Sequence, residues 1–407
     1  MRKVLLFLGL VAAILPVTSF AALGGNAPTA DDIRAHYADG TLKVLIVPGH
    51  DLVRSGTAFG KYTEADVVLQ LGYALRSYLA ADPKVHVEIS RGPDGDYASW
   101  LKLYVEDHGP EILAYRAEQR AKMHEAITTG AAASVVNVYH NTADIDTATY
   151  LFAINKYAND NNIDLVIHLH ANDYAGRRPG EIGPYTGYTI YVPEKQYGNA
   201  ATTRSIAESL RTALSSVLGE TTLPAERGTI VEDQDLIAVG ANGTRDGASL
   251  LVEYGYIYEP HLRFDAIRPT MLKELAYQTY RGLMSFLKPG ESITSKTTLL
   301  TNNWNSTLKK GMTGSLAVLR LQAALHDQGL YPPAPLTLTD CPLSGTFGDC
   351  TEDALVNFQQ KKLGYNTGTY GPATKALLTR LYQRPEVAKK PPVKGSSMQA
   401  SVVDSLR

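Results

Sequence analysis

Along the chain, short continuous apolar runs alternate with longer stretches in which apolar residues return every three to four positions. Residues 43–47 (KVLIV), 85–90 (VHVEIS), 164–170 (DLVIHLH), 187–192 (GYTIYV) and 248–253 (ASLLVE) read as strands. Residues 64–80, parts of 111–160, 201–217 and 271–287 carry the helical period between them. Strands followed by helices predict an α/β fold, a sheet covered by helices on both faces. Residues 22–40 show no strong period and read as a lead-in. Residues 288–314, rich in Ser, Thr, Asn and Lys, read as a linker, and 316–382 as a small all-α unit of three helices. The end, 384–407, holds Lys389-Lys390-Pro391-Pro392 and reads as a disordered tail.

Length and charge narrow the picture. A chain of 407 residues suits two or three domains. With 39 Lys and Arg against 41 Asp and Glu, nothing draws it electrostatically to nucleic acid. Residues 1–21 carry Arg2 and Lys3, an apolar run, then Ser19-Phe20-Ala21, the pattern of a secretory signal peptide. A signal anchor is the alternative, but the run is shorter than the roughly 20 apolar residues that span a bilayer. No stable membrane anchor is therefore expected, and the mature protein belongs in the periplasm or the medium. In that oxidising setting Cys341 and Cys350 are expected to form a disulfide, with metal binding by the pair as the weaker alternative.

Candidate chemistry lies at strand ends. His50 follows the first strand through Pro48-Gly49, and Glu64 opens the next helix. His168 and His170 are two apart on a strand and share a face. Glu253 ends an apolar strand, where a charge is costly to bury without a cation nearby. Two imidazoles and one carboxylate leave a fourth tetrahedral position open, as in catalytic zinc sites, and a further carboxylate can take the proton from water there.

In order and spacing this set resembles the zinc-dependent N-acetylmuramoyl-L-alanine amidases. The motifs are Pro48-Gly49-His50, the stretch 60–64 ending in Glu64, Asp164-Leu165 through His170-Ala171-Asn172, and Leu251-Val252-Glu253-Tyr254-Gly255-Tyr256-Ile257, within residues 42–287. The resemblance implies a zinc ion held by His50, Glu64 and His170, with Glu253 as the catalytic carboxylate. It implies hydrolysis of the amide between N-acetylmuramic acid and L-alanine in peptidoglycan. Asp51 and Leu52 replace the usual glycines, Val47 stands where Asp is common, and His168 replaces a Ser. His168 is either a group hydrogen-bonded behind a ligand and orienting it or a polar neighbour, and Asn172 is a second candidate for orienting a ligand. An insertion at 92–147 exceeds what the family needs; it either lies beside the cleft and shapes access or extends the fold away from it.

Residues 316–382 resemble the three-helix peptidoglycan-binding domain of wall hydrolases. The pattern G-x-F-G-x-x-T-x-x-A-x-x-x-F-Q at 345–359 is followed by G-x-x-G-x-x-T at 368–374. Thr351 and Thr374 stand where helix N-caps are expected, and Leu355, Phe358, Leu377 and Leu378 fill a small core. Tyr331 and Tyr370 are candidate sugar-facing aromatics, or else core or capping residues. A zinc D-alanine carboxypeptidase or endopeptidase of the wall is the rival enzyme reading, and a non-catalytic wall-binding protein the other. A regulatory protein partner and the oligomeric state stay open.

Overall fold

The computed structural model describes residues 27–135, 143–291 and 297–382. The expected signal peptide and C-terminal tail lie outside the described residues. The segment expected as an unstructured lead-in holds a helix, α1 (Ala30–Asp39), opened by a reciprocal capping box between Thr29 and Asp32. Only Ile33 and Tyr37 of it enter the core, too sparse a stripe to show as a period.

The chain continues through β1 (Leu42–Pro48), a small antiparallel pair β2 (Ala58–Phe59) and β3 (Tyr62–Thr63), α2 (Glu64–Leu79) and β4 (Val85–Ile89). It then forms α3 (Ser99–Thr128), bent at His108 ahead of Pro110, α4 (Ile145–Asp160), β5 (Leu165–Asn172) and β6 (Thr189–Pro193). Next come α5 (Ala200–Leu214), β7 (Ile230–Asp233), β8 (Ala248–Tyr256), the single turn α6 (Pro260–Arg263) and α7 (Arg268–Leu287).

Six strands form one sheet in the order β4-β1-β5-β8-β6-β7. The first four run parallel, while β6 runs antiparallel to β8. No helix lies between β5 and β6, so the chain turns back at the end it has reached; a parallel return would need a crossover. The sheet is mixed and is covered on both faces, as the alternation predicts. Val44, Ile46, Leu165, Ile167 and Leu169 face one layer with Leu71, Leu210 and Leu275. Leu45, Val47 and Val166 face another, with Leu101 and Ile112 from α3 and Ala148 and Phe152 from α4. The segment 92–147 is thus not an addition to a finished core: its helix α3 helps seal the second face.

Beyond α7 lie α8 (Leu316–Asp327), α9 (Asp349–Leu363) and α10 (Pro372–Tyr382), with Cys341 bonded to Cys350. The region expected as a linker is packed over its described residues. Leu300, Trp304 and Leu308 are buried, Leu299 N–H donates to Glu274 at 2.8 Å, and Tyr370 O–H donates to the carbonyl of Trp304 at 3.0 Å. One continuous apolar core runs from the sheet to Leu378. A methyl group on Gly345 would stand 2.3 Å from Ile267, so the C-terminal unit sits hard against the residue that precedes α7.

The threonines expected as caps do something else. Gly348 occupies the N-cap of α9. Gln322 donates to the Thr346 carbonyl at 3.0 Å and to Thr351 Oγ1 at 2.9 Å, and accepts from Gly345 N–H at 2.9 Å. Gln359 repeats this with the Thr369 carbonyl at 2.7 Å, Thr374 Oγ1 at 3.0 Å and Gly368 N–H at 2.9 Å. Each buried Gln staples the glycine loop and the first turn of the following helix to its own helix, which accounts for the recurrence of Gly and Thr in both motifs.

Candidate active site

The site is assembled where β1 hands over to its loop. Gly49 N–H donates to the Leu169 carbonyl at 2.9 Å, so the loop starts flush against β5. A Cβ at Gly49 would lie 2.3 Å from the His170 ring, and only glycine permits that approach. His50 follows with φ +62°, a left-handed conformation that costs a non-glycine residue energy and turns its ring toward the cleft. Asp51, one of the residues replacing a glycine, is buried and accepts from Val53 and Arg54 N–H at 2.7 and 2.6 Å, which ties the loop into a tight turn.

Glu64 is the first residue of α2, after the Thr63–Asp66 capping box. It is 4% exposed and lies between two imidazoles. Its Oε2 is 3.0 Å from His50 Nε2, and its Oε1 is 2.9 Å from His170 Nδ1 and accepts from Ala171 N–H at 3.1 Å. Burial alone would raise the Glu64 carboxyl, but the hydrogen bonds from His170 and His50 prevail and hold it far below the usual carboxylate range. Burial lowers His170 despite Glu64, so that ring stays neutral at pH 7. For His50 the burial penalty is outweighed by the hydrogen bond and charge of Glu64, and its value is raised.

The three donor atoms lie within 4.8 Å of one another. Two imidazole nitrogens and one carboxylate oxygen make a donor set suited to zinc, and the enclosed anion between the rings is a place for a cation. Glu253 stands opposite His170 in the β5–β8 register. Its side chain reaches the cleft, but Oε2 is enclosed and has no hydrogen-bond partner among the described residues. Burial first, then the charges of Glu64 and Glu226, push its carboxyl well above the usual value. The cleft around them, about 540 Å³, is also lined by Asp173, Tyr174, Tyr191, Leu236 and Leu251.

The structure brings His50, Glu64, His170 and Glu253 together on one cleft, which Asn172 also lines. His168 is buried beside the site with neither ring nitrogen hydrogen-bonded among the described residues, and burial lowers it to about 3. Among the described residues it makes no hydrogen bond to His50, Glu64 or His170. Asn172 donates to Glu226 at 2.9 Å. Glu226 itself escapes sequence reading because it sits in an irregular stretch with no period and no motif. Tyr331 and Tyr370 are buried at 4% and 6% exposure, and their hydroxyls donate to the carbonyls of Pro342 and Trp304, so neither ring offers a face to a sugar. The far end of the 92–147 segment does reach the site's rim: Arg54, in the His50 loop, bonds Asp144 and Asp146 at the start of α4 at 2.5 and 2.9 Å.

The sequence profile of the N-acetylmuramoyl-L-alanine amidase family matches residues 44–285, more than half of the chain. The chain belongs to this family. Its members hydrolyse the amide between N-acetylmuramic acid and L-alanine in peptidoglycan, which places the substrate in the cell wall, outside the cytoplasm. Among solved structures, an N-acetylmuramoyl-L-alanine amidase of Clostridium difficile 630 aligns at 17% identity and TM-score 0.38, over 61% of this chain and 98% of that one. The amidase Ami1 of Mycobacterium smegmatis aligns at 18% identity and TM-score 0.40, over 60% and 96%. The CwlD amidase of Clostridioides difficile, in complex with the GerS lipoprotein, aligns at 13% identity and TM-score 0.40, over 60% and 98%. The chain has no significant match among curated protein sequences. Membership in the amidase family rests on the profile match. Among the described residues, no helix is long and apolar enough to cross a membrane.

Proposed function

We propose that the chain is an exported, zinc-dependent amidase in which His50, Glu64 and His170 hold the ion and Glu253 manages the proton. The observation that carries this reading is the buried carboxylate of Glu64 set between two imidazoles, with a second carboxyl group, Glu253, across the cleft. When bound, a zinc ion would polarise the scissile carbonyl and make water acidic enough to attack near neutral pH. Glu64 supplies the compensating charge, and its Ala171 N–H bond fixes it in place. Glu253 accepts the proton from the attacking water and passes it to the leaving nitrogen of L-alanine. The C–N bond breaks, the hydroxyl stays on the lactyl carbonyl carbon, and a free amine departs. Residues 1–21 would direct export. The unit at 316–382 would hold the enzyme on the polymer, through surfaces other than Tyr331 and Tyr370.

The test is digestion of purified peptidoglycan followed by mass spectrometry. Stem peptides beginning at L-alanine are the expected product. Released D-alanine would indicate the carboxypeptidase instead, and no product at all a binding protein. Chelation should abolish turnover and zinc should restore it, and Glu64→Ala should lose the bound metal. Full metal content and activity in that variant would overturn the ligand set.

A further inference from the structure

At the end of β4, the side chain of Arg91 turns inward and is only 1% exposed. Its guanidinium is not spent on a carboxylate. Nη1 donates to the Gly49 carbonyl at 3.1 Å and to the Ala65 carbonyl at 2.9 Å, while Nε and Nη2 both donate to the Gly95 carbonyl, at 3.1 and 2.6 Å. Gly49 immediately precedes His50, and Ala65 immediately follows Glu64. One nitrogen therefore ties together the two backbone segments that carry two of the three donors. The Gly49 peptide is gripped from both sides, its N–H by Leu169 and its C=O by Arg91.

This grip matters because His50 is held at φ +62°. A histidine does not keep that backbone conformation unless its surroundings impose it. Its side chain contributes through Glu64, but Glu64 is itself a donor whose placement depends on the start of α2. Arg91 is the group that fixes both starting points at once, through a planar fork with five N–H donors that no other side chain provides. We infer that Arg91 is a positioning residue of the metal centre, setting the spacing of His50 and Glu64 from beneath. It touches neither metal nor substrate. The inference rests on the metal-centre reading above and adds a residue to it.

The experiment compares the full-length oxidised protein with Arg91→Lys and Arg91→Ala, and with Arg245→Lys as the control. Arg245 is equally buried and is bonded to Asn159 and to the carbonyl of Ile163, away from the donor cluster. Each metal-free protein is checked by far-UV circular dichroism and then titrated with Co²⁺, whose visible absorption reports the ligand geometry. Lysine cannot span three carbonyls in one plane, so Arg91→Lys should bind Co²⁺ at least about ten-fold more weakly with an altered spectrum. The control should match the parent. Methylguanidinium, which refills the vacated slot, should restore Co²⁺ affinity to Arg91→Ala. Parental affinity and spectrum in a folded Arg91→Lys would overturn the inference. Collapse of both Arg91 variants would equally overturn it, by showing a strut of the whole fold. Failure of the parent itself to bind Co²⁺ would instead defeat the metal reading and leave Arg91 with nothing to position.

Discussion

Glu226 accepts the side-chain amide of Asn172 at 2.9 Å, and the same carboxylate takes the hydroxyls of Tyr191 and Thr221 at 2.8 and 2.6 Å. Three donors converge on this one carboxyl group. Its charge also adds to the rise of the Glu253 carboxyl above the usual value. Replacing it with glutamine turns one acceptor end into a donor that faces other donors. Glu226→Gln should therefore cost about 1 to 3 kcal/mol in urea unfolding, the scale of a buried polar group left unpaired. Unchanged stability would show that the cluster relaxes freely.

Glu253→Gln separates the two carboxyl roles. Glutamine keeps the shape but cannot shuttle a proton, so turnover should fall by on the order of 10² or more while bound zinc stays at the parental level. Metal analysis alongside turnover on peptidoglycan checks both halves. Loss of metal would make Glu253 a ligand.

Tyr370→Phe removes one hydroxyl that reaches the carbonyl of Trp304. The expected cost is about 1 kcal/mol of stability, with co-sedimentation on sacculi unchanged because the ring is buried. A variant of normal stability that no longer sediments would return Tyr370 to the binding surface.

Leu300→Ala tests whether the stretch after α7 is part of the fold. Leu300 is fully buried, so truncation should lower stability by about 2 to 5 kcal/mol, as for other core leucines. A free spacer would show almost no change. Thermal unfolding of the oxidised protein distinguishes them.

What could be read in advance was whatever stands out against its immediate neighbours. His50, Glu64, His170 and Glu253 are polar residues at the ends of apolar runs, and the runs themselves placed β1, β5 and β8. What could not be read depends on partners far along the chain. The direction of β6 follows from a missing crossover, and β7 is four residues long with only two of them apolar. Glu226 gains its meaning from Asn172, Tyr191 and Thr221. Thr351 and Thr374 looked like caps because their local sequence suits caps, yet their hydroxyls accept from glutamines on the preceding helices. The packing of Leu300 and Trp304 was hidden in a stretch of Ser, Thr and Asn whose composition suggests a spacer.

The hard contact between Gly345 and Ile267, with Leu300 and Trp304 packed into the same core, has a mechanical consequence. A wall-binding unit on a floppy tether lets a hydrolase graze over a disc of polymer from a single foothold. With the wall-binding role proposed above for residues 316–382, a unit welded to the catalytic body would act as a set square: once seated, it would present the cleft to bonds at one distance and one bearing only. Each new cut then requires letting go and landing again, so the spacing of cuts along the wall would record the rate of release as well as the chemistry.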